Sequence, residues 1–193
     1  MTDRIELPEV VPIDRWLAAR QSLEAKEAAL RDHIDAVNHD RCELPMVEFD
    51  SDGFDGPDGP RTLLDLFEGR SQLIVYHFWF EPGGEPCAGC SQWTSNLGDL
   101  MNLHDHDTTL AFVSRAPTEE IVAAQRPRGW SIPWYSVNGN TFNEDTGYED
   151  VAQLSVFVRD GRSVFLTYVV REGSELQRLT NHWTLLERTP RGS

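Results

Sequence analysis

The run of residues 72–80 (QLIVYHFWF) constrains the fold more than any other segment of the chain. Its residues are apolar almost throughout, and many of them are β-branched or aromatic. Because the run does not alternate between apolar and polar residues, both of its faces need cover, as in a strand inside a sheet. The run therefore predicts a central strand with packing layers on both sides.

The segments that follow alternate between helical and strand patterns, with short connections between them. This alternation predicts strands that run parallel and are joined by crossover helices. The expected elements are a helix over 87–103, a strand over 108–114, a helix over 118–125 and a strand over 132–137.

Two further strands near the end of the chain form a predicted hairpin. They cover 154–159 and 163–169, and they flank Asp160-Gly161, a dipeptide that favours a tight turn. A helix over 174–186 follows. A parallel crossover, an antiparallel hairpin and a final helix follow one another in this order in the thioredoxin fold. We therefore predict an α/β protein with a thioredoxin-like fold, in which helices flank a mixed central sheet.

Residues 14–39 have the pattern of a long helix. Four apolar residues recur every seven positions along it: Trp16, Leu23, Leu30 and Val37. The neighbouring seam of a coiled coil would pass through Ala19, Lys26 and His33, which are too polar for a stable zipper. We expect an amphipathic arm that buries its stripe either on its own subunit or against a second copy in a homodimer.

After residue 44 the pattern changes to short alternating segments, so we divide the chain into an N-terminal helical arm over 1–44 and a thioredoxin-like domain over 45–193. The first elements of the domain are a strand over 46–49, a turn-rich stretch over 53–60 that suits a hairpin or an open loop, and a helix over 62–68 that starts at a Thr62–Asp65 cap.

The chain is strongly acidic, with 17 Lys and Arg against 32 Asp and Glu in 193 residues and a formal net charge of -15. Such a charge repels nucleic-acid phosphates and anionic lipid headgroups, so we expect neither nucleic acid nor membranes as partners. Charged residues also interrupt every apolar run near the N-terminus, so the sequence predicts neither a signal peptide nor a membrane span there. We therefore expect a cytoplasmic protein.

Three cysteines are too few for a disulfide framework. Cys42 is far in sequence from the other two, and we interpret it as an ordinary thiol. Cys87 and Cys90 have the CxxC spacing at the start of the helix that follows the central strand. Dithiol exchange needs one ionised, accessible thiol and a second thiol that resolves the mixed disulfide. Because free backbone N–H groups at a helix start stabilise a thiolate, we predict that Cys87 attacks and Cys90 resolves.

The same spacing also occurs in half of a zinc site or in an inert buried pair. Zinc would need two more ligands. The nearest histidines by sequence, His104 and His106, lie at the far end of the predicted helix, about 20 to 25 Å from the cysteines. We therefore expect no metal and no cofactor. Glu81 and Glu85 precede the pair, and their carboxylates disfavour a thiolate.

Seven segments spread over the chain carry a resemblance to a known family. They are WLAAR at 16–20, DLF at 65–67, QLIVYHF at 72–78, CAGCS at 87–91, VSRAP at 113–117, GWSIPW at 129–134 and LSVF at 154–157. Together they resemble a bacterial thioredoxin-like family of unassigned function, related to the peroxiredoxins and described as predicted dithiol-disulfide oxidoreductases. The resemblance implies disulfide exchange by Cys87 and Cys90 with a protein or small-molecule thiol or disulfide as substrate.

Two features depart from the relatives of that family. Thioredoxins usually carry a cis-proline before the strand that faces the dithiol, whereas residues 153–155 read Gln-Leu-Ser. Peroxiredoxins carry Thr or Ser three residues before the peroxidatic cysteine, but that position is Cys87 before Cys90 and Gly84 before Cys87. Two alternatives to disulfide exchange therefore stay open: a non-enzymatic binding or redox-sensing module, and a thiol peroxidase.

His77 lies on the strand that leads to the dithiol, near the place where thioredoxins keep a buried acid. It either exchanges a proton with Cys90 during resolution or is a core histidine bonded to a neighbour. We expect the tryptophans near the site either to line it or to pack in the core. Arg115 either neutralises an anionic substrate or forms a surface salt bridge. The candidates for substrate binding are Trp79, Pro86, Arg115, Trp130 and Trp134.

Overall fold

The structure is a computed structural model, and it describes residues 8–50, 52–148, 152–171 and 173–189. Its contacts divide the chain into two compact units, Met1–Leu44 and Pro45–Ser193. Within the described ranges, no helix combines the length and the apolar character that crossing a membrane requires.

The first unit contains helix α1, Ile13–Cys42, which begins after Pro12 and carries Asp14 in its first turn. The predicted helix over 14–39 is therefore present and somewhat longer. No residue of α1 is buried. In the predicted stripe Trp16, Leu23 and Leu30 are about half exposed, and Val37 is partly buried. What covers this stripe, the chain's own second unit or a second copy, stays a prediction.

The second unit contains an eight-stranded mixed sheet among its described residues. The strands are β1 (Val47–Glu48), β2 (Asp52–Gly56), β3 (Gly59–Thr62), β4 (Gln72–His77), β5 (Thr108–Ser114), β6 (Trp134–Ser136), β7 (Gln153–Asp160) and β8 (Ser163–Val170). Their spatial order is β1-β8-β7-β4-β5-β6-β2-β3.

The helices of this unit are short. They are α2 (Leu63–Leu66), α3 (Ala88–Ser95), α4 (Met101–Asp105), α5 (Thr118–Gln125), α6 (Phe142–Asp145), α7 (Gly173–Arg178) and α8 (Asn181–Leu186), with a 3₁₀ turn over Arg126–Arg128.

The pairing of the strands is that of a thioredoxin-like fold. Strand β4 pairs in parallel with β5, which in turn pairs in parallel with β6. On its other side β4 pairs antiparallel with β7, the first strand of the β7–β8 hairpin. The predicted fold class is thereby confirmed. The central strand is shorter than predicted: it ends at His77, and residues 78–80 belong to no strand.

The sheet separates two apolar clusters. Tyr76 belongs to the cluster on the α3 and α5 face, together with Cys90 and Trp93. Val75 belongs to the cluster on the α2 and α6 face. Because successive strand residues point to opposite faces, Tyr76 and His77 face different layers. This alternation decides which side chain of β4 reaches the cysteine pair.

The predicted helix over 87–103 is two helices, α3 and α4, separated by residues 96–100. Gly98 lies in this segment, and glycine is unfavourable inside a helix. Asp99 then accepts a hydrogen bond from the backbone N–H of Met101 at 2.9 Å, which suits the start of a new helix.

The break removes the distance argument against zinc, which assumed one continuous helix between the cysteines and the two histidines. Within the part of the chain that the structure describes, no group of three or more His, Cys, Asp or Glu side chains lies close enough to hold a metal ion. The expectation of a metal-free site stays a prediction.

Three other local predictions have mixed outcomes. The Thr62–Asp65 cap is confirmed: Asp65 accepts from the N–H of Thr62 at 2.8 Å, and Thr62 accepts from that of Asp65 at 3.3 Å. The turn-rich stretch over 53–60 forms the β2–β3 hairpin. The predicted final helix is interrupted between α7 and α8 at Leu179 and Thr180, and helix α6 was not predicted.

Candidate active site at the start of helix α3

Cys87 immediately precedes α3, and Cys90 lies in the first turn of that helix. Cys87 is partly exposed, whereas Cys90 is 2% exposed. The backbone N–H of Cys90 donates a hydrogen bond to the Cys87 Sγ at 3.4 Å. Since the first N–H groups of a helix have no partner within it, this sulfur occupies the place of a capping side chain. The predicted difference in exposure and the predicted position of the sulfur are both found.

The chain between β4 and α3 holds the first cysteine against the end of the central strand. The backbone N–H of Cys87 donates to the Trp79 carbonyl at 3.1 Å. A turn is closed by the bond from the Gly84 N–H to the Glu81 carbonyl at 3.0 Å. Pro86, which is partly buried, comes directly before Cys87. The approach of the chain to the helix start is thereby fixed by backbone contacts.

Tyr76 is the side chain of β4 that reaches the cysteine pair. Its ring stacks on Trp93 with centroids 4.3 Å apart, and its hydroxyl lies near enough to Cys90 to influence the pKa of that thiol. Burial raises the pKa of Cys90 to about 11, and Cys87 acts in the same direction. The Tyr76 hydroxyl and the backbone N–H of Trp79 act against this rise. Burial and the nearby thiols raise the pKa of Tyr76, so its hydroxyl keeps its proton.

A hollow of about 380 Å³ opens beside Cys87. It is lined mainly by nonpolar atoms, and it is smaller than another depression elsewhere on the unit. The indole of Trp79 forms one wall and is 48% exposed. The lining residues are Trp79, Glu81, Gly84, Glu85, Cys87 and Ala88. The partly exposed Cys87 is therefore one of the residues that line this open space.

Arg115 is engaged by acidic residues beside this hollow. Its Nη1 donates to Glu81 Oε1 at 3.3 Å, and its Nη2 donates to Glu144 Oε1 at 3.4 Å. The guanidinium also lies over the Tyr148 ring, 5.7 Å from its centroid. The salt-bridge interpretation of Arg115 agrees with this geometry. Arg115 offsets part of the charge of Glu81 and does not line the hollow.

His77 lies on the other face of the sheet. Its Nδ1 is 2.9 Å from Asn143 Oδ1, and its Nε2 is 2.9 Å from Ser155 Oγ. The ring is stacked between two aromatic rings. Burial lowers the pKa of His77 to about 4, so the imidazole is neutral at neutral pH. Proton exchange between His77 and Cys90 is therefore wrong, and His77 is a core histidine with both ring nitrogens bonded.

Trp130 and Trp134 do not line the hollow at Cys87. Trp134 is buried, and its indole N–H donates to Ser114 Oγ at 3.0 Å. Trp130 is partly buried and lies just before β6, beneath the Arg128 guanidinium. Both indoles pack against Phe78, which follows the end of β4, and Trp130 lines a different depression. Because Trp134 is buried, its predicted part in substrate binding is wrong, whereas that of Trp130 stays a prediction.

The segment that aligns with the cis-proline of thioredoxins contains no proline. Residues 153–155 begin β7, and the described residues contain no cis peptide bond. Leu154 pairs with Tyr76 and faces the same cluster as Cys90. Residues 149–151, which come before, lie outside the described residues.

One family of proteins matches nearly the whole sequence. Its description is a bacterial protein of unknown function (DUF899), and the match covers residues 5–193. The chain belongs to the DUF899 family. No curated protein matches this DUF899 chain.

Solved structures of redox proteins are similar to this DUF899 protein at low identity. Peroxidoxin BcpB from Mycobacterium tuberculosis is 14% identical and has a TM-score of 0.46, with 70% of this chain and 91% of that chain covered. A secreted Mycobacterium tuberculosis disulfide oxidoreductase homologous to E. coli DsbE is 12% identical, with 65% and 91% covered and a TM-score of 0.42. A bacterioferritin comigratory protein from Xanthomonas campestris is 11% identical, with 66% and 86% covered and a TM-score of 0.45. At these values the three structures bear on neither activity nor substrate.

Sequence reasoning missed Tyr76 as a member of the site of this DUF899 protein. The signal that was available is the alternation along β4, which places Tyr76 and Phe78 on one face and His77 on the other. The run is apolar on both faces, so its pattern alone did not show which face receives α3. The contacts of Trp93 with Tyr76 in the folded structure settle that question.

Proposed function

We propose that this chain is a thiol-disulfide oxidoreductase in which Cys87 attacks the substrate and Cys90 resolves the intermediate. One observation carries the proposal: two cysteines joined by the bond from the Cys90 N–H to the Cys87 sulfur differ in access, and the accessible one lies at a helix start beside an open hollow. Disulfide exchange requires this asymmetry between an attacking and a resolving thiol. An inert pair or a metal half-site does not require it.

In the reducing direction, the Cys87 thiolate attacks one sulfur of the substrate disulfide. The substrate S–S bond breaks, a bond forms between Cys87 and one half of the substrate, and the other half leaves as a thiolate that takes up a proton. Cys90 then loses its proton and attacks the Cys87 Sγ, which releases the second half as a thiol. The substrate gains two electrons, and the two cysteines end as a disulfide that an external dithiol must reduce.

Resolution requires a thiolate at Cys90, and burial opposes its formation. The hydroxyl of Tyr76 lowers the pKa of Cys90, because an O–H donor near the sulfur favours its charged form. Since the pKa of Tyr76 is itself raised, the hydroxyl remains a donor while Cys90 ionises. Tyr76 therefore acts as a positioning residue for the second step of the exchange.

The test is turnover of hydroxyethyl disulfide in the presence of a dithiol reductant. The full chain should catalyse it, and Cys87→Ser and Cys90→Ser should each abolish it. Cys42→Ser is the matched control, because Cys42 is exposed at the end of α1, and it should leave turnover unchanged. Absence of turnover together with peroxide consumption would favour the thiol peroxidase. Absence of both would favour a non-enzymatic binding or redox-sensing module.

A further inference from the structure

We infer that the hollow beside Cys87 selects disulfides that carry an apolar group and no negative charge, and that it prefers cationic disulfides over anionic ones. This inference rests on the proposed disulfide exchange and names the class of substrate that the same site accepts. It assigns two functions to the lining of the hollow. Trp79 contacts the apolar part of the substrate, and the carboxylates next to it repel anions.

The apolar contact is provided by an indole that the fold leaves uncovered. Phe78 and Phe80, its neighbours in the chain, are buried in the core, while Trp79 points outwards between them and remains 48% exposed. Large aromatic side chains contribute strongly to binding because they remove much apolar surface from water on contact. Ala88 and Gly84 complete the nonpolar lining of the hollow. Its volume of about 380 Å³ leaves room beside the Cys87 sulfur for a substrate side chain next to the attacked bond.

The charges around the hollow are negative. Glu81 and Glu85 line it, and its lining contains no Lys, Arg or His. Among the described residues, Arg115 is the cation that pairs with Glu81, and it also pairs with Glu144, so these three side chains together carry one net negative charge. Glu85 is exposed and makes no ion pair with any described residue. Its negative charge therefore adds to that of the group formed by Glu81, Arg115 and Glu144. The whole chain, with a net charge of -15, has the same sign.

An anionic disulfide would therefore approach the Cys87 sulfur against local and overall repulsion, and a cationic one would approach with attraction. Charges at a protein surface influence association through the local potential, and salt screens this effect. Two nearby carboxylates are enough to change the rate of association about tenfold for a singly charged substrate group at low ionic strength. The selectivity should appear mainly in kcat/KM.

The experiment compares three small disulfides at low salt: cystamine, which is cationic, hydroxyethyl disulfide, which is neutral, and glutathione disulfide, which is anionic. We expect kcat/KM to fall in this order, by about tenfold or more between the first and the last. At about 1 M salt the Debye length falls to about 3 Å, so the three values should converge. This convergence separates electrostatic selection from differences in the reactivity of the disulfides.

Two substitutions localise the effect. Glu85→Gln should narrow the gap between cystamine and glutathione disulfide at low salt. Glu48→Gln, which removes the same charge from an exposed position on β1 outside the hollow, should leave the gap unchanged. Trp79→Ala should lower kcat/KM more for an uncharged disulfide with a phenyl group than for hydroxyethyl disulfide.

A rate for glutathione disulfide that equals or exceeds the rate for cystamine at low salt would overturn the inference. Equal effects of Glu85→Gln and Glu48→Gln would overturn the assignment to this hollow. Lack of turnover with all three disulfides would instead overturn the proposed function, and the selectivity with it.

Discussion

At the scale of single residues, the two thiols of the site differ in access although only two residues separate them. An alkylating reagent near neutral pH should label Cys87 first and Cys90 slowly, because Cys87 is partly exposed and Cys90 is buried. Mass spectrometry of digested protein at several times measures both rates. Cys90→Ser should accumulate a mixed disulfide on Cys87, and Cys87→Ser should accumulate none. Equal, slow labelling of both thiols and no trapped adduct would contradict the assignment of roles.

Tyr76→Phe should slow resolution and leave the attack by Cys87 unchanged. The substitution keeps the ring that stacks on Trp93 and removes only the hydroxyl, which lowers the pKa of Cys90. A hydrogen bond to a charged group contributes about 1.5–3 kcal/mol, so resolution should slow by about tenfold or more. Rapid-mixing measurements of mixed-disulfide decay give this rate.

The pH profile of the same reaction distinguishes this role from a structural one. Since the pKa of Cys90 is about 11, resolution should accelerate with pH across the neutral and mildly alkaline range. In Tyr76→Phe the midpoint should move to higher pH, because the hydroxyl that favours the thiolate is lost. Tyr135→Phe, a change in the cluster on the other face of the sheet, is the control and should leave the profile unchanged. An unchanged midpoint in Tyr76→Phe would show that its hydroxyl has no part in resolution.

The residue scale is also where the sequence was least informative. The exposure of Cys87 and the burial of Cys90 followed from the helix start alone. The sequence did not show whether Tyr76 or His77 faces the cysteine pair, because a strand with two covered faces has no alternation of apolar and polar residues. Trp134 was misassigned for a similar reason: an indole suits a core as well as a binding wall, and only packing distinguishes them.

At the scale of elements, helix α1 carries an apolar stripe, and none of its residues is buried within the helix. The homodimer through this helix stays a prediction: the full chain should be a dimer, because pairing would remove the stripe from water. Leu23→Lys combined with Leu30→Lys should give a monomer in sedimentation experiments at several concentrations. Gln21→Lys combined with Ala25→Lys adds the same charge away from the stripe and should preserve the dimer. A monomer at every concentration for the unchanged chain would refute this pairing.

The elements that the sequence predicted well are those with strong local signals. The central strand, the β7–β8 hairpin at Asp160-Gly161 and the capped helix α2 are all present. The break between α3 and α4 was missed because the apolar spacing continues through it. Helix α6 was missed because it is a single short turn that packing holds in place, with Phe142 wholly buried.

At the scale of the whole molecule, His77 makes the stability of the fold depend on pH. The unfolded chain binds a proton at this imidazole with a pKa of about 6.5, whereas the folded chain does so only at about 4. Protons therefore favour the unfolded chain between these values, and stability should fall as pH falls from about 6.5 to 4. The full effect of this one group is about 3 kcal/mol.

Denaturant unfolding at pH 7 and at pH 4.5 measures this loss. His77→Gln should be less stable at pH 7, because it disturbs the bonds to Asn143 and Ser155, but it should lose less stability on acidification. His106→Gln changes an exposed histidine and should keep the full dependence on pH. The same acid sensitivity in His77→Gln would assign the effect to other groups.

The two outer strands of the sheet have a consequence for aggregation. One edge is β1, which has only two residues, Val47 and Glu48. The other edge is β3, where Pro60 has no N–H to donate and Arg61 adds a charge. Short edges with proline and charge resist the addition of further strands from other molecules. The sheet is thus protected against edge-to-edge growth into fibrils.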